Sequence, residues 1–153
     1  MDEQIMACRH LAQFFQIAIE YNMNEIDFTR KALCSEYKEG IEIYKPQWYS
    51  QSQYYYFEEF MEENIVESKI YNDEEIEYEK ERMYWLGYCL QTWSNKTLKS
   101  GKEISTILGT KGIEHLLQNY KIYHTVDPMY VLEDSEEYLE IVIKGDSSSV
   151  TLL

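Results

Sequence analysis

Apolar residues recur at helical spacing along most of the chain, which predicts a series of amphipathic helices. The clearest stripe lies in residues 4–21 and consists of Leu11, Phe14, Phe15, Ala18 and Tyr21. Asn24 then suits the N-cap of a second helix ending near residue 35. Residues 40–52 look irregular, and further helices are predicted over 53–64 and 73–93, after a loop at 68–73.

Capping signals predict the helices of the C-terminal part. Ser100 and Glu103 have the spacing of a capping box, and Gly109 and Gly112 bracket a break between two short helices. The dipeptide 127–128 is Asp-Pro, which is typical of an N-cap followed by proline at the first helical position. Residues 141–143 are predicted to be strand-like.

Helix breakers are scarce, which favours a mostly α fold. The 153 residues include 6 Gly and 2 Pro, a smaller share than globular proteins usually have. We predict six to eight helices in one compact domain. The order of helices and loops in the first half of the chain is weakly repeated in the second half. This similarity raises the alternative of two similar helical halves, 1–67 and 68–144, followed by a flexible tail at 145–153.

Acidic residues outnumber basic ones by 28 to 14, for a formal net charge of −14. Such a surface repels phosphate backbones, so direct nucleic-acid binding is disfavoured, whereas a protein partner with a basic site would suit it. The densest run, between Glu58 and Glu81, holds 11 acids and two lysines. Solubility alone is an equally good explanation of this acidity.

Tyrosine is unusually abundant, with 15 Tyr against 5 Phe. Tyr combines apolar area with a polar tip and suits half-buried positions and interfaces, although a biased genome composition explains the excess as well. We predict that two segments contact a partner, namely an aromatic loop (Trp48, Tyr49, Tyr54, Tyr55) and an acidic arm (Glu74, Glu75, Glu77). Simple core packing would account equally well for the aromatic residues.

The three cysteines, Cys8, Cys34 and Cys89, are widely spaced and form no CxxC motif. We interpret them as reduced, buried thiols of a cytoplasmic protein. The first residues do not form a secretory signal. No apolar run approaches the about 20 residues that span a bilayer, so no membrane association is expected.

Motifs of catalysis and cofactor binding are missing from the sequence. It has no phosphate loop, GxSxG, HExxH or EF-hand pattern, so we predict no enzyme, no cofactor and no metal site. His124 stands near Thr125 and Asp127 and would be a general base only if a carboxylate held it. We expect it instead to cap or bridge backbone groups where two helices meet, and we expect His115 to be exposed.

Several short segments between Tyr84 and Tyr138 match the sequence pattern of a known group of proteins. They are Gly87-Tyr88-Cys89-Leu90, Ser100-Gly101-Lys102-Glu103-Ile104, Gly112-Ile113, Leu117, Tyr120, Tyr123-His124-Thr125, Tyr130-Val131 and Glu133-Asp134. On these residues the chain resembles a family of short, uncharacterised helical bacterial proteins. Tyr123 replaces a leucine of that family's pattern. The resemblance implies a place in toxin–antitoxin-like loci, beside candidate ADP-ribosyltransferase toxins.

These observations lead to one functional hypothesis and two alternatives. We expect a non-enzymatic, antitoxin-like or inhibitor protein that neutralises a toxin or defence effector through an acidic, Tyr-rich surface. The first alternative is an acidic nucleic-acid mimic of phage origin that blocks a bacterial defence or DNA-binding protein. The second is an enzyme that uses His124.

Overall fold

Eight α-helices and one 3-10 turn account for most of residues 2–144, which are the residues that the computed structural model describes. The helices are α1 (Glu3–Glu20), α2 (Glu25–Leu33), α3 (Glu36–Glu42), α4 (Gln53–Glu63), α5 (Ile76–Thr97), α6 (Gly101–Gln118), α7 (Tyr120–Tyr123) and α8 (Pro128–Leu139), and the 3-10 turn is Pro46–Trp48. The predicted mostly α fold of six to eight helices is confirmed. The predicted flexible tail, 145–153, lies outside the described residues.

The predicted caps are present and define where several helices begin. The Asn24 side chain accepts hydrogen bonds from the Ile26 and Asp27 amides. Ser100 and Glu103 form the reciprocal capping box. Asp127 accepts from the amide of Met129 at the start of α8.

The core is centred on the contact between α1 and α5, the most extensive in the fold, with α2 packed on α6. Gly87 of α5 faces α1 so closely that a Cβ there would lie 2.8 Å from the carbonyl oxygen of Leu11. One hydrophobic cluster runs from Leu11 to Ile143 and draws on helices before and after the predicted boundary at 67/68. That boundary lies in the segment 64–75, which we call the linker.

Three local predictions were wrong. Helix α3 was not predicted, because its inner face combines Tyr37 and Ile41 with Lys38, whose side chain is buried, and so shows no clear apolar stripe in the sequence. Helix α5 begins at Ile76, so Glu74 and Glu75 precede it in a turn that Asn72 closes. Residues 141–143 form no strand; the amide of Ile143 donates to a Glu136 carboxylate oxygen and its side chain is buried.

The predicted break at Gly109 is a kink inside α6. Gly109 has φ 60° and ψ −170°, a region of backbone space that only glycine occupies readily. No heavy atom lies within 4 Å of a Cβ built on this residue. The kink therefore depends on the backbone freedom of glycine and not on space for a side chain.

We predict that Gly109→Ala lowers the free energy of unfolding by about 1–3 kcal/mol, because alanine is strained at this φ and ψ. Chemical denaturation with helicity as the signal measures the change. Thr110→Ala, at the exposed next position, is the control and should change stability by less than about 0.5 kcal/mol. Equal effects of the two substitutions would contradict this assignment of the kink.

Candidate functional site

Trp48 and Tyr49 of the predicted aromatic loop are half-buried and pack against the core. The Trp48 ring contacts those of Tyr37 and Tyr56, with centroids 5.8 and 5.5 Å apart. The Tyr49 hydroxyl donates to the carbonyl of Ile41 at 2.6 Å. Trp48 thus joins α3 to α4, and Tyr49 joins α3 to α1 through its ring contact with His10, as the packing interpretation of these aromatics expects.

Tyr54 and Tyr55 lie in the first turn of α4 and are 45% and 47% exposed. The Tyr54 hydroxyl donates to the Glu20 carboxylate at the end of α1, at 2.8 Å. This hydrogen bond to a carboxylate raises the pKa of Tyr54. The orientation of the Tyr54 side chain is therefore fixed, while nearly half of its surface remains accessible.

Glu74, Glu75 and Glu77 of the acidic arm are all exposed. Lys80 Nζ lies 3.8 Å from carboxylate oxygens of both Glu77 and Glu20. Glu20 and Lys80 therefore connect Tyr54 to Glu77, and we call these four residues the ridge. Neither Glu20 nor Lys80 was predicted, because their positions in the sequence do not show which two helices meet.

The linker is held in place by a buried carboxylate. Glu25 is 4% exposed and accepts from Lys69 Nζ at 3.1 Å and Arg82 Nη2 at 3.2 Å. Arg82 also donates to the carbonyl of Leu117 in α6 at 3.1 Å and to the Glu79 carboxylate. This network ties the linker, α2, α5 and α6 together and sets where the acidic arm begins.

Backbone hydrogen bonds fix the same segment along its length. The Asn24 amide donates to the Glu67 carbonyl at 2.8 Å, and the Lys69 amide donates to the Asn22 carbonyl at 2.9 Å. These bonds flank an isolated antiparallel bridge between Met23 and Ser68. The linker is thus an ordered strap with two outward apolar side chains, Ile65 and Ile70, which are 90% and 87% exposed.

An open cleft of about 470 Å³ lies beside the ridge, between α1 and the start of α4. It is lined by His10, Gln13, Gln16, Ile17, Glu20, Gln51, Ser52, Gln53 and Tyr54. Gln53 Nε2 lies 2.7 Å from His10 Nδ1, and Gln53 Oε1 accepts from the buried Tyr37 hydroxyl. Burial lowers the pKa of His10, so this wall of the cleft is neutral and amide-rich.

His115 is buried, in contrast to its predicted exposure. Its Nε2 lies 2.8 Å from the Tyr123 hydroxyl, which donates to Asp134 at 2.5 Å. Asn119 Nδ2 lies 3.3 Å from the other ring nitrogen. Burial lowers the pKa of His115 more than Asp134 raises it, and burial together with the Asp134 bond raises the pKa of Tyr123 to about 12.

His124 is the C-cap of α7, which is one of the two structural roles that we expected for it. Its Nδ1 lies 2.8 Å from the carbonyl oxygen of Tyr120, and its ring stacks on that of Tyr120. Asp127 bonds to the α8 backbone and Thr125 to the carbonyl of Ile122.

Residues 2–144 hold neither a metal-binding cluster nor a membrane-spanning helix. Within them, no group of three or more His, Cys, Asp or Glu side chains is placed to hold a metal ion. No helix among them is long and apolar enough to cross a membrane. Cys8 and Cys89 are buried free thiols, as predicted, but Cys34 is exposed, because it follows the last turn of α2.

Comparison of the chain with protein-family models, curated proteins and solved structures found no match. The resemblance of residues 84–138 to bacterial toxin–antitoxin-associated proteins therefore remains a hypothesis.

We predict that Arg82→Gln lowers the free energy of unfolding by about 2–4 kcal/mol, because it leaves the buried Glu25 carboxylate with one exposed cationic partner. Thermal and urea unfolding measure the loss. Glu77→Gln, on the same helix, removes an exposed ion pair and should change stability by less than about 0.5 kcal/mol. A mild effect of Arg82→Gln would show that the linker is held by its backbone bonds alone.

We predict that His115 makes folding less stable in acid. Its folded-state pKa lies below the unfolded value of about 6.5, so the unfolded chain binds more protons once the pH falls below about 6.5. The stability of the wild-type protein relative to His115→Gln should therefore decrease from pH 7.5 to pH 5. Urea unfolding of both proteins at each pH cancels the titration of the shared carboxylates. A constant difference between them would contradict the prediction.

Proposed function

We propose that this chain is a non-enzymatic, antitoxin-like inhibitor that binds and neutralises a protein partner through the ridge and the acidic arm. The observation that carries the proposal is that Glu20 and Lys80 connect an exposed, oriented tyrosine to Glu77, the last residue of the acidic arm. Tyr54 is held by Glu20, and Glu74 and Glu75 stand free of any ion pair within residues 2–144.

The composition of this surface suits a protein interface. Tyrosine is enriched where partners meet and often provides a large share of binding energy. The apolar Ile65 and Ile70 on the adjacent linker add contact area that the sequence pattern did not indicate. Clustered carboxylates would steer the encounter with a basic site and raise the association rate, an effect that salt weakens.

The nucleic-acid-mimic alternative draws on a different surface. Helix α4 exposes Glu58, Glu59, Glu62 and Glu63 in consecutive turns. Such a row of carboxylates would occupy a site that normally binds phosphates. Competition for the partner distinguishes the two functions. A nucleic-acid mimic competes with DNA or RNA for its partner, whereas an antitoxin-like inhibitor does not.

We predict that co-expression with the product of the adjacent gene relieves that product's toxicity and yields a stable complex. The triple reversal Glu74→Lys, Glu75→Lys, Glu77→Lys should weaken the complex at least about tenfold, mainly by slowing association. Surface plasmon resonance at several salt concentrations measures both rates.

The matched control is Glu133→Lys, Glu137→Lys, Glu140→Lys, which makes the same change in net charge on exposed residues of the α8 region. This variant should bind almost as tightly as the wild type. Equal weakening by both variants would mean that only total charge matters. A neighbouring protein that is harmless and does not co-purify would exclude the antitoxin function.

A further inference from the structure

A second cleft lies on the other side of α4, between α3, the 3-10 turn and α4, with a volume of about 230 Å³. Its walls combine aromatic rings with carboxylates. The lining residues are Tyr37, Trp48, Tyr56, Phe60, Glu36, Glu59, Glu62, Glu63 and Ser35. We call it the acid–aromatic cleft.

The aromatic wall is rigid before any ligand arrives. The Tyr56 hydroxyl donates to the Gln47 carbonyl at 2.7 Å and accepts from the Ser50 and Gln51 amides. The Trp48 indole fills the space beside Gly40, where a Cβ would lie 2.1 Å from its Cδ1. Tyr37, Tyr56 and Phe60 are buried, so the ring that a ligand would meet in the cleft is that of the half-buried Trp48. Because the other rings already hold Trp48 in place, little reordering is needed, which reduces the entropic cost of binding.

The acidic wall lacks internal cations. Within residues 2–144, the ion pairs use other carboxylates, those of Asp27, Glu20, Glu25, Glu42, Glu77, Glu79 and Glu133. Among the described residues, no lysine, arginine or histidine lines the cleft. Four glutamates thus surround an aromatic floor with nothing in the described structure to neutralise them.

We infer that the acid–aromatic cleft binds one arginine side chain of the protein partner, an inference that rests on the proposed protein-binding function. A cation placed over an aromatic face is attracted by the negative charge density of the ring. The planar guanidinium both stacks on rings and donates paired hydrogen bonds to carboxylates, which a lysine ammonium does not match.

The size of the cleft supports a single side chain. Small-molecule pockets usually measure about 300–1,000 Å³, and this cleft is smaller. Its charge excludes phosphates and carboxylates as ligands. Arginine is enriched at the energetic centres of protein interfaces, so the occupant belongs to a partner surface of the kind the ridge would attract.

The test uses three capped tripeptides, Gly-X-Gly, in which X is arginine, lysine or the uncharged arginine isostere citrulline. Each is titrated into the full-length ¹⁵N-labelled protein, and the indole N–H resonances report on the three tryptophans separately. The arginine peptide should shift the Trp48 resonance and leave that of Trp93, which is fully buried, in place. The lysine peptide should bind more weakly, and the citrulline peptide should not bind.

The double substitution Glu59→Gln, Glu62→Gln should weaken arginine-peptide binding at least about tenfold, because it removes two charged hydrogen-bond acceptors for the guanidinium. Both residues are exposed, so the fold should persist, as unchanged indole dispersion would show. Glu58→Gln lies on the same helix outside the cleft and should bind like the wild type.

The inference would be overturned by no movement of the Trp48 resonance, by equal responses to all three peptides, or by full binding of the arginine peptide to the double variant. A lysine peptide that binds as tightly as arginine would overturn it too. None of these results touches the co-expression experiment, because that one reports on a macromolecular complex. The peptide titration therefore tests arginine binding in the cleft, and the co-expression experiment separately tests the inhibitor function.

Discussion

The close approach of α1 and α5 is the constraint on which the rest of the structure depends. At Gly87 the two backbones come so near that a Cβ would lie 2.9 Å from the Cα of Ala12. Glu20 ends α1, and Lys80 lies in the first turns of α5. Because these helices pack together, Glu20 and Lys80 meet, and the tyrosine on α4 is joined to the acidic arm.

The outward acidity of the protein follows from how its few cations are used. Arg82 and Lys69 neutralise the buried Glu25, and Lys38, 1% exposed, pairs with Glu42 in the interior. Burial lowers the pKa of Lys38 while its carboxylate partner opposes that shift. Lys38 and Arg82 thus neutralise carboxylates in or near the interior and are not free to pair with the exposed glutamates of α4 and the arm. Stability and surface charge are therefore coupled in this chain.

Local signals predicted the helices well because their information is close in sequence: Asn24, Ser100 and Asp127 cap helices where expected. Features that depend on long-range contacts were not predictable. Helix α3 buries Lys38, whose ammonium group donates to the hydroxyl of the distant Ser94 and pairs with the nearby Glu42. Some of the predicted contact residues are exposed and others are half-buried. The sequence could not separate them, because helical periodicity does not show which side of α4 an aromatic loop faces.

The exposed Cys34 gives the protein a natural attachment point for chemical probes. Burial raises the pKa of the thiols of Cys8 and Cys89, which suppresses the reactive thiolate at both sites. A maleimide dye should therefore label one position without any engineering. Since Cys34 is adjacent to Ser35, a residue of the acid–aromatic cleft, the dye would sit at the edge of that cleft. The dye-labelled protein, with no change to its amino-acid sequence, would then report partner binding through its fluorescence.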